Sequence, residues 1–151
     1  MNRVVVVDTS IVLKWVLDEP DSATALALLT KWVNDEIVIQ APALLAYEVA
    51  NALFQRVRKG EMTAERAWQA LEDVLFPELL LNFVEYREIS KRAILLAHQY
   101  NLPATYDAQY LALAEHEKCD YWTADIRLSN AVKDKLPWVH QLNEYHSSMH
   151  N

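Results

Sequence analysis

The sequence predicts an α/β domain with a mostly parallel central sheet flanked by helices, on three observations. Residues 4–7 are four consecutive valines ending at Asp8. A β-branched run without polar alternation is a strand covered on both faces, as in a parallel sheet. Short apolar runs then alternate with helical patterns along the chain, which is the order of βα units. The length of 151 residues and the 52% hydrophobic content suit one domain that buries a core without covalent staples.

The elements follow in order. A helical pattern runs from about Ser10 to Leu17 and is broken by Glu19-Pro20-Asp21-Ser22, where Asp21 or Ser22 is placed to cap the next helix. That helix extends to about Asn34, with Ala25, Leu28, Leu29, Trp32 and Val33 on one side. Ile37 to Ile39 is a short strand. Pro42 opens a helix through about Lys59, with Gly60 as its stop. Thr63 starts another, with Ala64, Ala67, Trp68, Leu71, Val74 and Leu75 on one face, and Pro77 ends it. Leu79 to Val84 reads as a strand, and Ser90 to Tyr100 as a helix that stops before Pro103. Thr105 is placed to cap a helix over Tyr106 to Glu117. Asp120 to Thr123 is a strand, Ile126 to Lys133 a helix and Trp138 to Gln141 a last strand. One domain over residues 1–142 is expected, with a polar, fraying tail at 143–151.

Composition excludes several chemistries. Gly60 is the single glycine, so a dinucleotide fingerprint, a P-loop and a Gly-x-Ser-x-Gly elbow are all impossible. Cys119 is the single cysteine, so no disulfide forms within the chain. His116 and Cys119 are spaced i, i+3, but no second cysteine or paired histidine completes a zinc motif. The apolar N-terminal run is too short for a signal core or a membrane span, and the expectation is a soluble cytoplasmic protein. The net charge of −7 opposes nucleic acid at long range unless basic side chains cluster or metal screens the acids. Arg56, Arg58 and Lys59 form one basic group, and Arg87, Lys91 and Arg92 another; each also reads as a solvated helix face.

Four carboxylates stand out. Ligands of open α/β sheets bind beyond the carboxyl ends of the strands. Asp8 closes the first strand and Asp125 follows Tyr121-Trp122-Thr123; both also suit helix N-caps. Glu48 lies mid-helix among Leu44, Leu45, Val49 and Ala52, and Asp107 shares a face with Tyr110, Leu111 and Ala114. A carboxylate on an apolar stripe must be desolvated, which is costly unless it pairs with a cation, accepts donors or binds metal. Four acids brought together would not all ionise without cations. Oxygen-only ligands suit hard ions, Mg²⁺ or Mn²⁺, and such ions serve phosphodiester hydrolysis.

The motifs around these acids form a set. Val5-Val6-Val7-Asp8-Thr9-Ser10-Ile11-Val12-Leu13-Lys14-Trp15 resembles the opening of PIN-domain proteins. Pro42 to Leu53, around Glu48, resembles their second motif, Tyr106 to Glu115 the third and Trp122-Thr123-Ala124-Asp125 the fourth. The match spans residues 1 to about 140, and a PIN-like domain is the fold it implies. The region around Lys14-Trp15 is most similar to VapC-type toxins of toxin–antitoxin pairs. The resemblance implies a Mg²⁺- or Mn²⁺-dependent endoribonuclease that acts on transfer or ribosomal RNA. It also implies a homodimer held inactive by an antitoxin that inserts near the active site. Asp8, Glu48, Asp107 and Asp125 become the metal-binding acids, and Thr9, Ser10, Asn51 and Thr123 their supporting residues.

The expected mechanism is in-line attack of a metal-activated water on phosphorus. Two rivals stand beside it. An aspartyl-phosphate phosphatase would use Asp8 as nucleophile, although the second Asp such enzymes carry two residues on is here Ser10. A catalytically inactive partner-binding module would instead present exposed aromatics, with Trp15, Trp32 and Trp68 as the candidates.

Overall fold

The computed structural model describes residues 3–75 and 81–148. The chain runs β1 (Val4–Val7), α1 (Thr9–Val16), α2 (Ser22–Asn34), β2 (Val38–Pro42), α3 (Leu44–Arg58), α4 (Ala64–Leu75), β3 (Asn82–Val84), α5 (Arg87–Gln99), α6 (Tyr106–Glu117), β4 (Asp120–Thr123), α7 (Ile126–Val132), β5 (Val139–Gln141) and α8 (Leu142–Ser148). The strands form one sheet in the order β3-β2-β1-β4-β5, and every pairing is parallel. β1 is central: Val6 stands opposite Gln40 of β2 on one side and Tyr121 of β4 on the other. Val5, Val6 and Val7 are buried, as a doubly covered strand requires. The chain winds outward in one direction through β2 and β3 and in the other through β4 and β5. The crevice at the carboxyl ends of β1 and β4 is therefore the switch point, where such sheets bind ligands.

α6 is the most enclosed helix. Ala108 and Tyr110 through Ala114 are all buried, and the helix packs on β1, β2, β4 and α5. From Tyr110 to Ala114 the helix is buried on every side, which sets its middle in the core. It ends where Lys118 takes a left-handed conformation at φ 54°, a site that ordinarily suits glycine.

Several boundaries differ from the sequence expectation. Pro42 closes β2 instead of opening α3: it lies opposite Val84, at a strand end where its missing N–H costs little. α5 begins at Arg87, three residues before the expected Ser90, because Tyr86 supplies an extended N-cap backbone without a capping side chain. Asp21 and Thr105 stand at helix starts without making a side-chain cap. Ser22 instead donates to Leu17 O and accepts from Glu19 N, closing the α1–α2 turn. Thr63 does cap α4, accepting from Arg66 N. Residues 143–148, expected as a fraying tail, form most of α8. That helix packs against α2, with Leu142 buried and Tyr145 set against the core. The expected strand start at Leu79 and the stop at Pro77 lie outside the described residues.

Lys118→Gly should raise stability by roughly 0.5–1 kcal/mol, because glycine removes the left-handed penalty at an exposed position. Urea unfolding measures it; an unchanged or lower midpoint would show that the cap is not strained.

Candidate active site

Asp8 leaves β1 and caps α1. Its Oδ1 accepts from Ser10 N, Ser10 Oγ and Ile11 N. Its Oδ2 accepts from the Tyr121 and Thr123 hydroxyls of β4. The residue is only 5% exposed. Burial pushes its carboxyl above the ordinary range, against the opposite pull of the Ser10, Thr123 and Tyr121 hydroxyls and Ile11 N–H. Capping and site placement are thus one arrangement, in which one oxygen orders α1 and the other ties β1 to β4.

Glu48 projects from α3. Its Oε1 accepts from Tyr110 OH of α6 and from Thr9 Oγ1 of α1 at 3.2 Å. Asp125 caps α7 through Oδ1, which accepts from Arg127 N and Leu128 N at 3.0 and 3.1 Å. Asp107, in the first turn of α6, is half-buried and has no hydrogen bond or ion pair among the described residues. Its carboxyl is pushed up to about 6, first by burial and then by the charges of Asp8, Asp125 and Glu48. The four acids therefore share one electrostatic environment, although they come from four segments.

No described lysine, arginine or histidine pairs with any of the four. Three of the grouped cations pair elsewhere: Arg56 meets Glu19 and Glu61, Arg92 meets Glu115, and Lys91 meets Glu88. The donor set fits Mg²⁺ or Mn²⁺, being oxygen alone and lacking internal counter-charge. Among the described residues, both Asp107 oxygens, Glu48 Oε2 and Asp125 Oδ2 accept no protein hydrogen bond, while Asp8 adds its charge with its oxygens held by hydroxyls and backbone N–H groups. Among the described residues no three ligating side chains already converge on one point.

The supporting residues divide. Thr9 serves Glu48; Ser10 and Thr123 serve Asp8, and Ser10 Oγ also accepts from Ala124 N at 2.8 Å. Asn51 is exposed and, among the described residues, accepts from Gln55 Nε2. Sequence reasoning missed Tyr110 and Tyr121. Burial and the adjacent carboxylates push both phenols up, so each stays a donor, Tyr110 to Glu48 and Tyr121 to Asp8. The available signal was a tyrosine on an otherwise apolar stripe, whose buried hydroxyl needs a partner. Burial pushes the Cys119 thiol up to about 12, which disfavours a reactive thiolate.

The PIN domain family model matches residues 5–134. The chain belongs to the PIN domain family. Ribonuclease VapC3 of Pyrobaculum aerophilum is 39% identical over 72 residues, 48% of this chain and 54% of the relative. The chain thus matches about half the length of that PIN relative. The crystal structure of PAE2754 from the same organism superposes with a TM-score of 0.68 at 23% identity, covering 95% of this chain and 94% of the other. VapC20 of Mycobacterium tuberculosis, described as a sarcin–ricin loop cleaving toxin, superposes with a TM-score of 0.58 at 17% identity, covering 85% of this chain and 95% of the other. Both neighbours share the PIN fold.

Two outcomes follow. Asp107→Asn should stabilise the protein in EDTA at pH 7 by roughly 1 kcal/mol, after discounting for the half-exposed carboxyl. A raised folded-state value means that wild-type stability falls as pH rises from about 4 to about 6 and is level above that. The gap between variant and wild type should open across that window, and a gap independent of pH would refute it. Tyr121→Phe should cost about 1.5–3 kcal/mol in urea unfolding, because a buried carboxylate loses a donor; a cost under about 0.5 kcal/mol would show the bond is dispensable.

Proposed function

We propose that the protein is a Mg²⁺- or Mn²⁺-dependent endoribonuclease, the toxin of a toxin–antitoxin pair. The observation that carries this is the set of four electrostatically coupled carboxylates at the β1–β4 switch point with no cation of their own among the described residues. The name of the Pyrobaculum relative, a ribonuclease, and the description of the Mycobacterium neighbour, a toxin that cuts the sarcin–ricin loop, support the same reading.

Asp8, Glu48 and Asp107 would hold the principal ion, and Asp125 would orient water or a second ion. The ion, when bound, polarises a phosphoryl oxygen and lowers the pKa of a water nearby. Tyr110 and Thr9 orient Glu48, and Ser10, Tyr121 and Thr123 orient Asp8, so the acids meet the substrate with fixed rotamers. Water attacks phosphorus in line, a phosphorus–oxygen bond to water forms, and the bond to O3′ breaks with a proton passing to O3′. The products carry 5′-phosphate and 3′-hydroxyl ends.

The substrate is transfer or ribosomal RNA. The working form is a cytoplasmic homodimer inhibited by an antitoxin; no described helix is long and apolar enough to cross a membrane. Phe54 on α3 and Trp68 on α4, 54% and 65% exposed, offer an apolar surface for the antitoxin segment. Trp15 is partly buried against the core and donates to Ala25 O, and Trp32 is 4% exposed.

Purified protein free of partner should cleave a small-RNA pool with Mn²⁺. EDTA should abolish cleavage, and folded Asp8→Asn and Asp107→Asn variants should lose roughly 100-fold or more. Product ends bearing 2′,3′-cyclic phosphate would overturn the hydrolytic scheme, as would cleavage that persists in EDTA.

A further inference from the structure

The two oxygens of Glu48 are not equivalent. Oε1 accepts from the Tyr110 hydroxyl at 2.5 Å and from Thr9 Oγ1 at 3.2 Å. A carboxylate oxygen offers roughly two lone-pair directions, so two hydroxyl donors occupy Oε1. Among the described residues Oε2 receives no protein donor.

The donors are held in place by packing. Tyr110 is 1% exposed, and its ring lies 21° from parallel with that of Tyr121, with centroids 6.1 Å apart. A phenol oxygen lies on the ring axis, so a ring flip leaves it where it is. Moving it takes a change of χ1, which a close-packed interior resists. Burial also pushes the phenol up, so it stays a donor. Thr9, in the first turn of α1, comes within 3.4 Å of the same phenol oxygen, and both hydroxyls converge on Oε1.

The number of open carboxylate oxygens bears on the choice of ion. Ca²⁺ takes roughly six to eight oxygens in flexible geometry and commonly uses both oxygens of one carboxylate. Mg²⁺ demands near-octahedral geometry and keeps several waters, and Mn²⁺ shares the octahedral preference. Asp125 is arranged like Glu48, with Oδ1 held by Arg127 N and Leu128 N. Of the four acids, Asp107 alone keeps both oxygens clear of donors among the described residues.

We propose that the Tyr110 and Thr9 hydroxyls confine Glu48 to a single ligating oxygen and thereby select a small octahedral ion, Mg²⁺ or Mn²⁺, over Ca²⁺. The inference rests on the metal-dependent ribonuclease reading and assigns the choice of ion to two residues outside the acid set. Both are positioning residues, because they act on the ion through Glu48.

The test uses the full-length protein, stripped with EDTA and dialysed, with Mg²⁺, Mn²⁺ or Ca²⁺ titrated in by calorimetry and no RNA present. Wild type should bind Mg²⁺ and Mn²⁺ in preference to Ca²⁺. Tyr110→Phe combined with Thr9→Val should shift the ratio of Ca²⁺ to Mn²⁺ affinity toward Ca²⁺ by roughly 10-fold, the scale of one hydrogen bond to a charged oxygen. Each single variant should shift it the same way by less, and Tyr110→Phe alone decides the matter should the double variant not fold. Thr9→Ser keeps the hydroxyl and should stay within about 2-fold of wild type. Water-proton relaxation should report fewer waters on bound Mn²⁺ in the double variant, since the freed oxygen displaces one. Folded variants with an unchanged ratio would overturn the proposal. Equal weakening of every ion would overturn it too, because the hydroxyls would then only hold Glu48 in place. In either case, cleavage of RNA by wild type with Mn²⁺ leaves the ribonuclease reading intact. Wild type that binds no divalent ion overturns both.

Discussion

The buried carboxylate of Asp8 is the constraint on which the rest of the site depends. A charge at 5% exposure is tolerable only if its oxygens are supplied with donors. Those donors come from α1 and from β4, through Ser10, Ile11, Tyr121 and Thr123. Satisfying Asp8 therefore aligns the start of α1 with the end of β4, and Asp125 lies two residues past the strand's last donor. Asp125 N in turn donates to Thr123 Oγ1 at 3.0 Å, which extends the network to the second acid. Glu48 is secured by a separate pair, Thr9 and Tyr110, which joins α1, α3 and α6.

The same network separates the acids by role. Asp8, Glu48 and Asp125 each spend at least one oxygen on protein donors, which holds the side chain in place. Asp107 receives no such donor and bears the repulsion of the other three. Negative charge gathered without a counter-ion opposes folding, and the buried stretch of α6 from Tyr110 to Ala114 offsets it by locking the helix into the core. Local destabilisation of this kind is the usual accompaniment of a site built for an ion or substrate.

Much of the architecture was legible because it is written in short-range pattern. The four valines and the helical periods of α2, α4 and α6 announce their elements, and the parallel sheet follows from their alternation. Legibility failed where tertiary contact overrides local chemistry. Pro42 has the composition of a helix start, but the ladder with β3 claims it for β2. Residues 143–148 look like a solvated tail, yet α2 provides a surface on which Leu142 and Tyr145 order α8.

By itself the sequence determined the α/β class and the order of the elements, and it singled out four acids as candidates by their placement at strand ends and on apolar stripes. Hydrophobic period, capping and desolvation cost are properties of a residue and its near neighbours, so they can be read along the chain. Only the tertiary structure decided the sheet order and the tyrosine donors. Thr123 and Asp8 are 115 residues apart, and Tyr110 and Glu48 are 62 apart. A hydrogen bond across such a separation has no periodic signature. It exists because packing α6 and β4 against β1 brings hydroxyls within reach of carboxylates that cannot remain buried without them.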